Sequence, residues 1–259
     1  MNRIIDYENL IREIQLWIKN YVNSNGIKTL VVGVSGGIDS AVVSTLCAIT
    51  GIPTIAVGIS INSSEKNTDL SKKQLDFLSN LGVKTYNYDL SDTFNSFKST
   101  MLGSFPSELG FANSKSRLRM MTLYQIAASY DGIVVGTGNK VEDFGVGFYT
   151  KYGDGGVDIS PIADLYKTEV RELGRFLNVP EEIIMAEPTD GLWEDNRNDE
   201  SQIGATYEEL EWVMEYGLDK VVFTEKEYKL VEIYKNFNNK NKHKMEPIPV
   251  FKLDENEII

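Results

Sequence analysis

One cysteine in 259 residues is too few for a disulfide framework, a multi-cysteine zinc site or an intramolecular redox pair. Cys47 itself lies among Val42, Val43, Leu46 and Ile49, a setting for core packing rather than for a nucleophile. Basic residues are also scarce: 26 Lys and Arg against 38 Asp and Glu leave a net charge of −12. Such a surface repels nucleic-acid backbones and anionic membranes, and no basic patch precedes the Lys-rich stretch Lys235–Lys244, so no nucleic-acid partner is expected. No segment is long and uncharged enough to span a bilayer, and the N-terminus has no apolar leader. A soluble cytoplasmic protein without a membrane partner is the expectation. With 42% hydrophobic residues, residues 1–259 can bury the core of a single large domain.

What is present begins at Lys28–Leu46. The apolar run Leu30–Val34 stops at Ser35-Gly36-Gly37, and apolar residues at helical spacing follow. This is a buried parallel strand, a tight turn and a helix N-terminus. Adjacent glycines let the backbone approach an anion, and the helix end offers unpaired N–H donors. The loop lacks the Gly-Lys-Ser/Thr ending that places a lysine on terminal phosphates. It carries Asp39 instead, a carboxylate suited to a magnesium ion riding on bound phosphates. A plain strand-to-helix turn capped by Ser35 explains the same six residues equally well.

The rest of the chain reads as βαβα units in one open parallel sheet with helices on both faces. An amphipathic helix spans Ile4–Tyr21, strands cover Thr54–Ile59 and Val83–Tyr88, and a helix occupies the stretch between them. Asp92–Ala112 is ambiguous, and a strong helix covers Ser114–Ser129. Its Lys115, Arg117 and Arg119 form either a solvated basic face or an anion clamp. Gly132–Thr137 is another buried strand, so Thr137, Gly138 and Asn139 share the ligand-binding edge with the glycine loop. Glu142 and Asp143 follow, each a candidate second carboxylate for a metal. Thr150–Pro161 is dense in glycine and polar residues, as in a binding loop. Lys167 falls in the first turn of a helix over Leu165–Leu177, where a cation opposes the helix dipole unless an anion sits there. After Gly191 the chain to Gln202 reads as an acidic, polar, mobile segment. Short helices cover Tyr207–Met214 and Thr224–Phe237, and the proline-bearing tail is extended.

Together these segments resemble a known family. S-G-G-I-D-S after a strand is similar to the pyrophosphate loop of N-type ATP pyrophosphatases. N-S-K-S-R-L-R-M at Asn113–Met120, G-T-G-N-K-V-E at Gly136–Glu142, T-K-Y-G-D-G-G-V-D-I-S-P from Thr150, E-P-T-D-G-L at Glu187–Leu192 and the late His243-Lys244 pair resemble NAD⁺ synthetase, in this order. The resemblance implies the Rossmann-like, adenine nucleotide alpha hydrolase-like fold. It implies ATP-dependent amidation of deamido-NAD by ammonia. The large amidase domain of glutamine-using members has no room here, so the ammonia-dependent form is expected.

By position, the resemblance implies that Gly33, Val34, Ser35, Gly36, Gly37, Ile38, Asp39 and Ser40 hold ATP, with Thr137, Lys167 and Thr189. It assigns Mg²⁺ to Asp39 and Glu142, and deamido-NAD to Arg117, Lys151, Asp158, His243 and Lys244. Asp39, Lys167 and Asp158 are the implied catalytic residues, with Asp154 a second candidate base for ammonia. Family members are homodimers with the deamido-NAD site completed across the interface. Two departures stand out. The span Glu142–Thr150 is one residue longer than in well-known bacterial members, leaving Asp143 open as the acidic ligand. His243-Lys244 is followed by Met245 where a third basic residue is common. A tRNA-modifying relative with the same glycine loop and a non-catalytic nucleotide-binding module are the competing readings; the acidic surface opposes the first and the coexisting carboxylates and basic clamp oppose the second.

Overall fold

The structure, a computed structural model, describes residues 3–189, 191–193 and 197–253. Asp190 of the E-P-T-D-G-L segment lies outside them, as do residues 194–196 of the acidic segment. Four parallel strands form one sheet, β1 (Thr29–Val34), β2 (Thr54–Ser60), β3 (Lys84–Asp89) and β4 (Gly132–Val134), in the order β3-β2-β1-β4. Their alternation explains the layering. Leu30, Val32 and Val34 of β1 pack into a cluster with α1 (Tyr7–Ser24) and α2 (Ile38–Ile49), while Val31 faces Ala127 on the opposite side. Helices therefore cover both faces, as expected. Each fully buried Leu or Val contributes about 1.5–3 kcal/mol.

The first cluster also takes in α3 (Glu65–Asn80), α6 (Lys167–Phe176) and α7 (Glu181–Ile184). Gly174 seats α6 closely on α2: a Cβ there would lie 2.8 Å from Ile38 Cδ1 and 3.3 Å from Val42 Cγ2. The other face carries α5 (Glu108–Ser129), which follows α4 (Ser91–Leu102). A separate cluster joins Val141, Val146 and Tyr166 to the late helices α8 (Asp199–Ile203), α9 (Tyr207–Trp212) and α10 (Glu225–Met245).

Several elements differ from the sequence expectation, among them α8, which begins inside the segment read as mobile. Helix α5 starts at Glu108 rather than Ser114, because Ser107 caps it by accepting from Gly110 N, and Phe111 and Ala112 are buried. Strand β4 ends at Val134; Val135 makes a lone bridge to Ile159, inside the segment read as loop. Helix α10 runs to Met245 rather than Phe237. Its last turns carry no apolar stripe because their packed face is polar. Asn238 donates to Gly145 O at 2.7 Å, Asn241 to Val146 O at 2.9 Å, and Lys244 to Tyr149 O at 2.7 Å.

Candidate functional site

The glycine loop leaves the carboxyl end of β1 under close constraint. Gly36 has φ +92°, and a Cβ on it would lie 2.8 Å from Ser71 N and 2.9 Å from Asn67 O of α3. Only glycine meets both demands. The Ser40 hydroxyl accepts from Ser35 N at 3.1 Å and donates to Gly37 O at 3.0 Å, while Gly37 N donates to Ser35 Oγ at 3.2 Å. These bonds shape the turn before α2, whose first turn carries Asp39.

Asp39 is the start of a polar cluster drawn from four parts of the chain. Asn139, fully buried after β4, donates to Asp39 Oδ1 at 3.3 Å. Its own Oδ1 accepts from Val141 N and Glu142 N at 3.1 and 3.2 Å, which fixes the π-helical turn Val141–Val146. Lys167 reaches from α6 to Asp39 Oδ2 at 2.5 Å and Glu142 Oε1 at 2.9 Å. From α9, the Tyr207 hydroxyl donates to Glu142 Oε1 at 2.7 Å, and its ring lies 4.8 Å from the Lys167 ammonium.

Charge in this cluster is decided by burial against pairing. Burial pushes the Lys167 ammonium toward neutrality, but Asp39 and Glu142 outweigh it and hold it above the ordinary lysine value. Burial likewise works against the Glu142 anion; Lys167 and the Tyr207 hydroxyl prevail and keep it below the usual carboxylate range. Asp143 is different. Its carboxyl lies against Gly138, where a Cβ would fall 2.1 Å from Oδ2. Burial, then Glu142, Asp154 and Asp39, push its pKa up to about 8.

Asp143 therefore favours its protonated form in the folded chain. Its contribution to stability is present at low pH and is lost as pH rises from about 4 toward 8. Asp143→Asn should remove that slope and leave the variant more stable than the parent at pH 8, by on the order of 2 kcal/mol. Thermal melts at pH 5 and pH 8 check this; parallel slopes for both proteins would contradict it.

A cavity of about 840 Å³ opens above the cluster at the carboxyl ends of the strands. Gly33 to Ser40, Thr137, Glu142, Lys167 and Thr189 line it, and so do Arg117, Lys151, His243 and Lys244. Asp158 does not: its Oδ2 accepts from Val134 N at 2.7 Å while its own N–H donates to Val134 O, so it serves the sheet edge. Asp154 lines the cavity and is held by Ser116 Oγ at 2.7 Å and Thr150 N at 3.0 Å. Burial raises its pKa, opposed by these bonds. Lys151 donates to His243 O at 2.8 Å, and Arg117 contacts Lys151 O at 3.3 Å, tying three of the named basic residues into one wall. Lys244 is committed to the carbonyls of Gly147 and Tyr149.

Residues 10–248 match the sequence model of the family described as NAD synthase. The chain belongs to that family. It is 42% identical over 199 residues to the NH(3)-dependent NAD(+) synthetase of Mesoplasma florum, covering 75% of this chain and 79% of that one. With the enzyme of the same name from Carboxydothermus hydrogenoformans it shares 35% identity, over 93% of this chain and 96% of that one. The solved NMN synthetase of Francisella tularensis superposes with a TM-score of 0.87 at 30% identity, covering 96% of this chain and all of that one.

The NAD synthase family resemblance implied a magnesium ion, and the donor set can accommodate one. Oxygens of Asp39 and Glu142 already converge on a single cation. Among the described residues no group of three or more His, Cys, Asp or Glu is arranged to hold a metal. An ion bound to two carboxylates would draw its remaining ligands from phosphate oxygens and water, the usual habit of magnesium with nucleotides. Glu142 suits this better than Asp143, whose carboxyl is turned onto Gly138.

Sequence reasoning missed Tyr207 and gave Asn139 no contact. No local pattern marks Tyr207, which is read simply as a helix residue. Arg171, which lines the cavity, was legible: it stands four residues after Lys167 and so shares its helix face. Tyr207→Phe keeps the ring and removes the bond to Glu142. We expect about a tenfold fall in kcat with the fold intact, as for loss of one hydrogen bond to a charged group. Steady-state kinetics with a thermal melt check this; an unchanged kcat would contradict it.

Proposed function

We propose that this chain is an ammonia-dependent NAD⁺ synthetase, a ligase that amidates deamido-NAD to NAD⁺ at the expense of ATP. A carboxylate does not yield to ammonia directly, because its oxygen is a poor leaving group. In the reaction the nicotinate carboxylate attacks the α-phosphorus of ATP, forming an acyl-adenylate and releasing pyrophosphate. Ammonia then displaces AMP and the amide forms.

The observation that carries this reading is the meeting of Asp39, Glu142 and Lys167 beside the glycine loop, in a cavity that Arg117, Lys151 and His243 also line. In our reading the loop N–H groups hold the leaving pyrophosphate, and Lys167 offsets charge on the transferring phosphoryl group. Asp39 and Glu142 would hold Mg²⁺, which when bound adds charge neutralisation at the phosphates. Arg117, Lys151 and His243 receive the anionic half of deamido-NAD. Asp154 is the better placed base for the incoming ammonium, since Asp158 is turned toward β4.

In this reading the domain, 1–259, works in the cytoplasm and as a homodimer, with ammonia as the nitrogen donor. The exposed Phe105 and Leu109 at the start of α5, and Met121 one turn after Arg117 on the same helix, support a second copy packing along α5. Pyrophosphate release measured with and without deamido-NAD tests the assignment. Release that requires deamido-NAD, with ammonia then yielding NAD⁺, is expected; release without it would reject the reading.

The likeness to the Francisella tularensis NMN synthetase favours a second reading, amidation of the mononucleotide rather than the dinucleotide. Both acceptors present the same nicotinate carboxylate and differ by an AMP unit. The ratio of kcat/KM for deamido-NAD and for nicotinic acid mononucleotide decides between them.

A further inference from the structure

Asp39 and Glu142 share a cation, and that cation belongs to the chain itself. The Lys167 ammonium lies 2.5 Å from Asp39 Oδ2 and 2.9 Å from Glu142 Oε1, and the residue is only 4% exposed. Magnesium binds oxygen at about 2.0–2.1 Å and would claim these same oxygens, so ion and ammonium exclude one another. An ammonium expelled from a buried carboxylate pair must find another anion, because an unpaired buried charge is strongly unfavourable. Among the described residues, the carboxylates in ion-pair contact with it are Asp39 and Glu142, the two it would be leaving. A triphosphate seated on the glycine loop, against the first turn that carries Asp39, supplies a new partner.

We infer that Lys167 is a displaceable internal cation that keeps divalent metal off Asp39 and Glu142 until a polyphosphate arrives. The inference rests on the metal site proposed above. Free metal is refused because it would have to break both ion pairs of Lys167. Bound ATP draws the ammonium onto its phosphate oxygens and opens the carboxylates to the ion. Departure of pyrophosphate removes the receiving anion, Lys167 returns, and the ion leaves. Metal occupancy thus follows nucleotide occupancy, and the carboxylates are neutralised throughout.

The test is Mn²⁺ binding without nucleotide, read by electron paramagnetic resonance of the free ion, for the parent chain, Lys167→Met and Lys167→Gln. At least about tenfold tighter binding by the two variants is expected, a step well above the scatter of such titrations. Equal affinity in parent and variants would overturn the inference. The double variant Asp39→Asn/Lys167→Met separates this from the underlying reading: if it binds Mn²⁺ as tightly as Lys167→Met, the ion is not at Asp39 and the metal site itself is wrong. Should the single variants fold poorly, Mn²⁺ should raise their melting temperature while leaving that of the parent unmoved. Variants that stay unfolded at every Mn²⁺ concentration would also overturn the inference, since no ion then replaces the ammonium.

Discussion

Asp39→Asn should fold and yet release pyrophosphate from ATP and deamido-NAD roughly 10³-fold more slowly than the parent chain. The carboxylate lies in the first helix turn after the loop assigned to the leaving group, and it is one of two anions facing Lys167. Asparagine keeps the shape and can still meet Asn139, but it offers no charge to a metal. Glu142 stays behind to pair the ammonium, so the fold is not left with an uncompensated buried cation. A pyrophosphate-coupled assay alongside a thermal melt separates the two effects. A rate within tenfold of the parent would remove Asp39 from the phosphoryl-transfer machinery.

Lys167→Met should act chiefly on stability. It strands Asp39 and Glu142 beside one another with their shared counter-charge gone, and breaking a buried pair in this way costs about 3–5 kcal/mol. The loss should be largest with divalent metal chelated, measured by urea unfolding at pH 7 in EDTA. Activity should fall as well, because the same ammonium is assigned to the phosphates. A variant as stable as its parent under chelation would mean that the carboxylates reorient to solvent and that the cluster is loosely held.

The residues around Lys167 also show what sequence reasoning can reach. A lysine in the first turn of α6 demands an anion but does not name it. The structure sets Asp39 and Glu142 beside it. β1, the glycine loop and α2 were legible because local pattern dictates them: a continuous apolar strand, a turn whose φ requires glycine, and helical spacing. Tyr207 was not, because its contact with Glu142 joins residues 65 apart and no period announces it. The last turns of α10 were missed since their packed, half-buried face is built from Asn238, Asn241 and Lys244, which a hydrophobic pattern cannot register. Motif position singled out Asp158, but motif position does not say which of two nearby aspartates faces the cavity; backbone pairing with Val134 turns Asp158 away.

Gly174 gives the close seating of α6 on α2 a bearing on how the chain is made. During synthesis the N-terminal segments fold first, at about 5–20 residues per second. Asp39 leaves the ribosome long before Lys167, so for seconds the nascent chain holds the carboxylate without its partner. That interval does no harm, because α6 is the helix that both covers α2 and delivers the ammonium. Residues 167–176 thus bring cover for α2 and the counter-charge of Asp39 on one and the same helix.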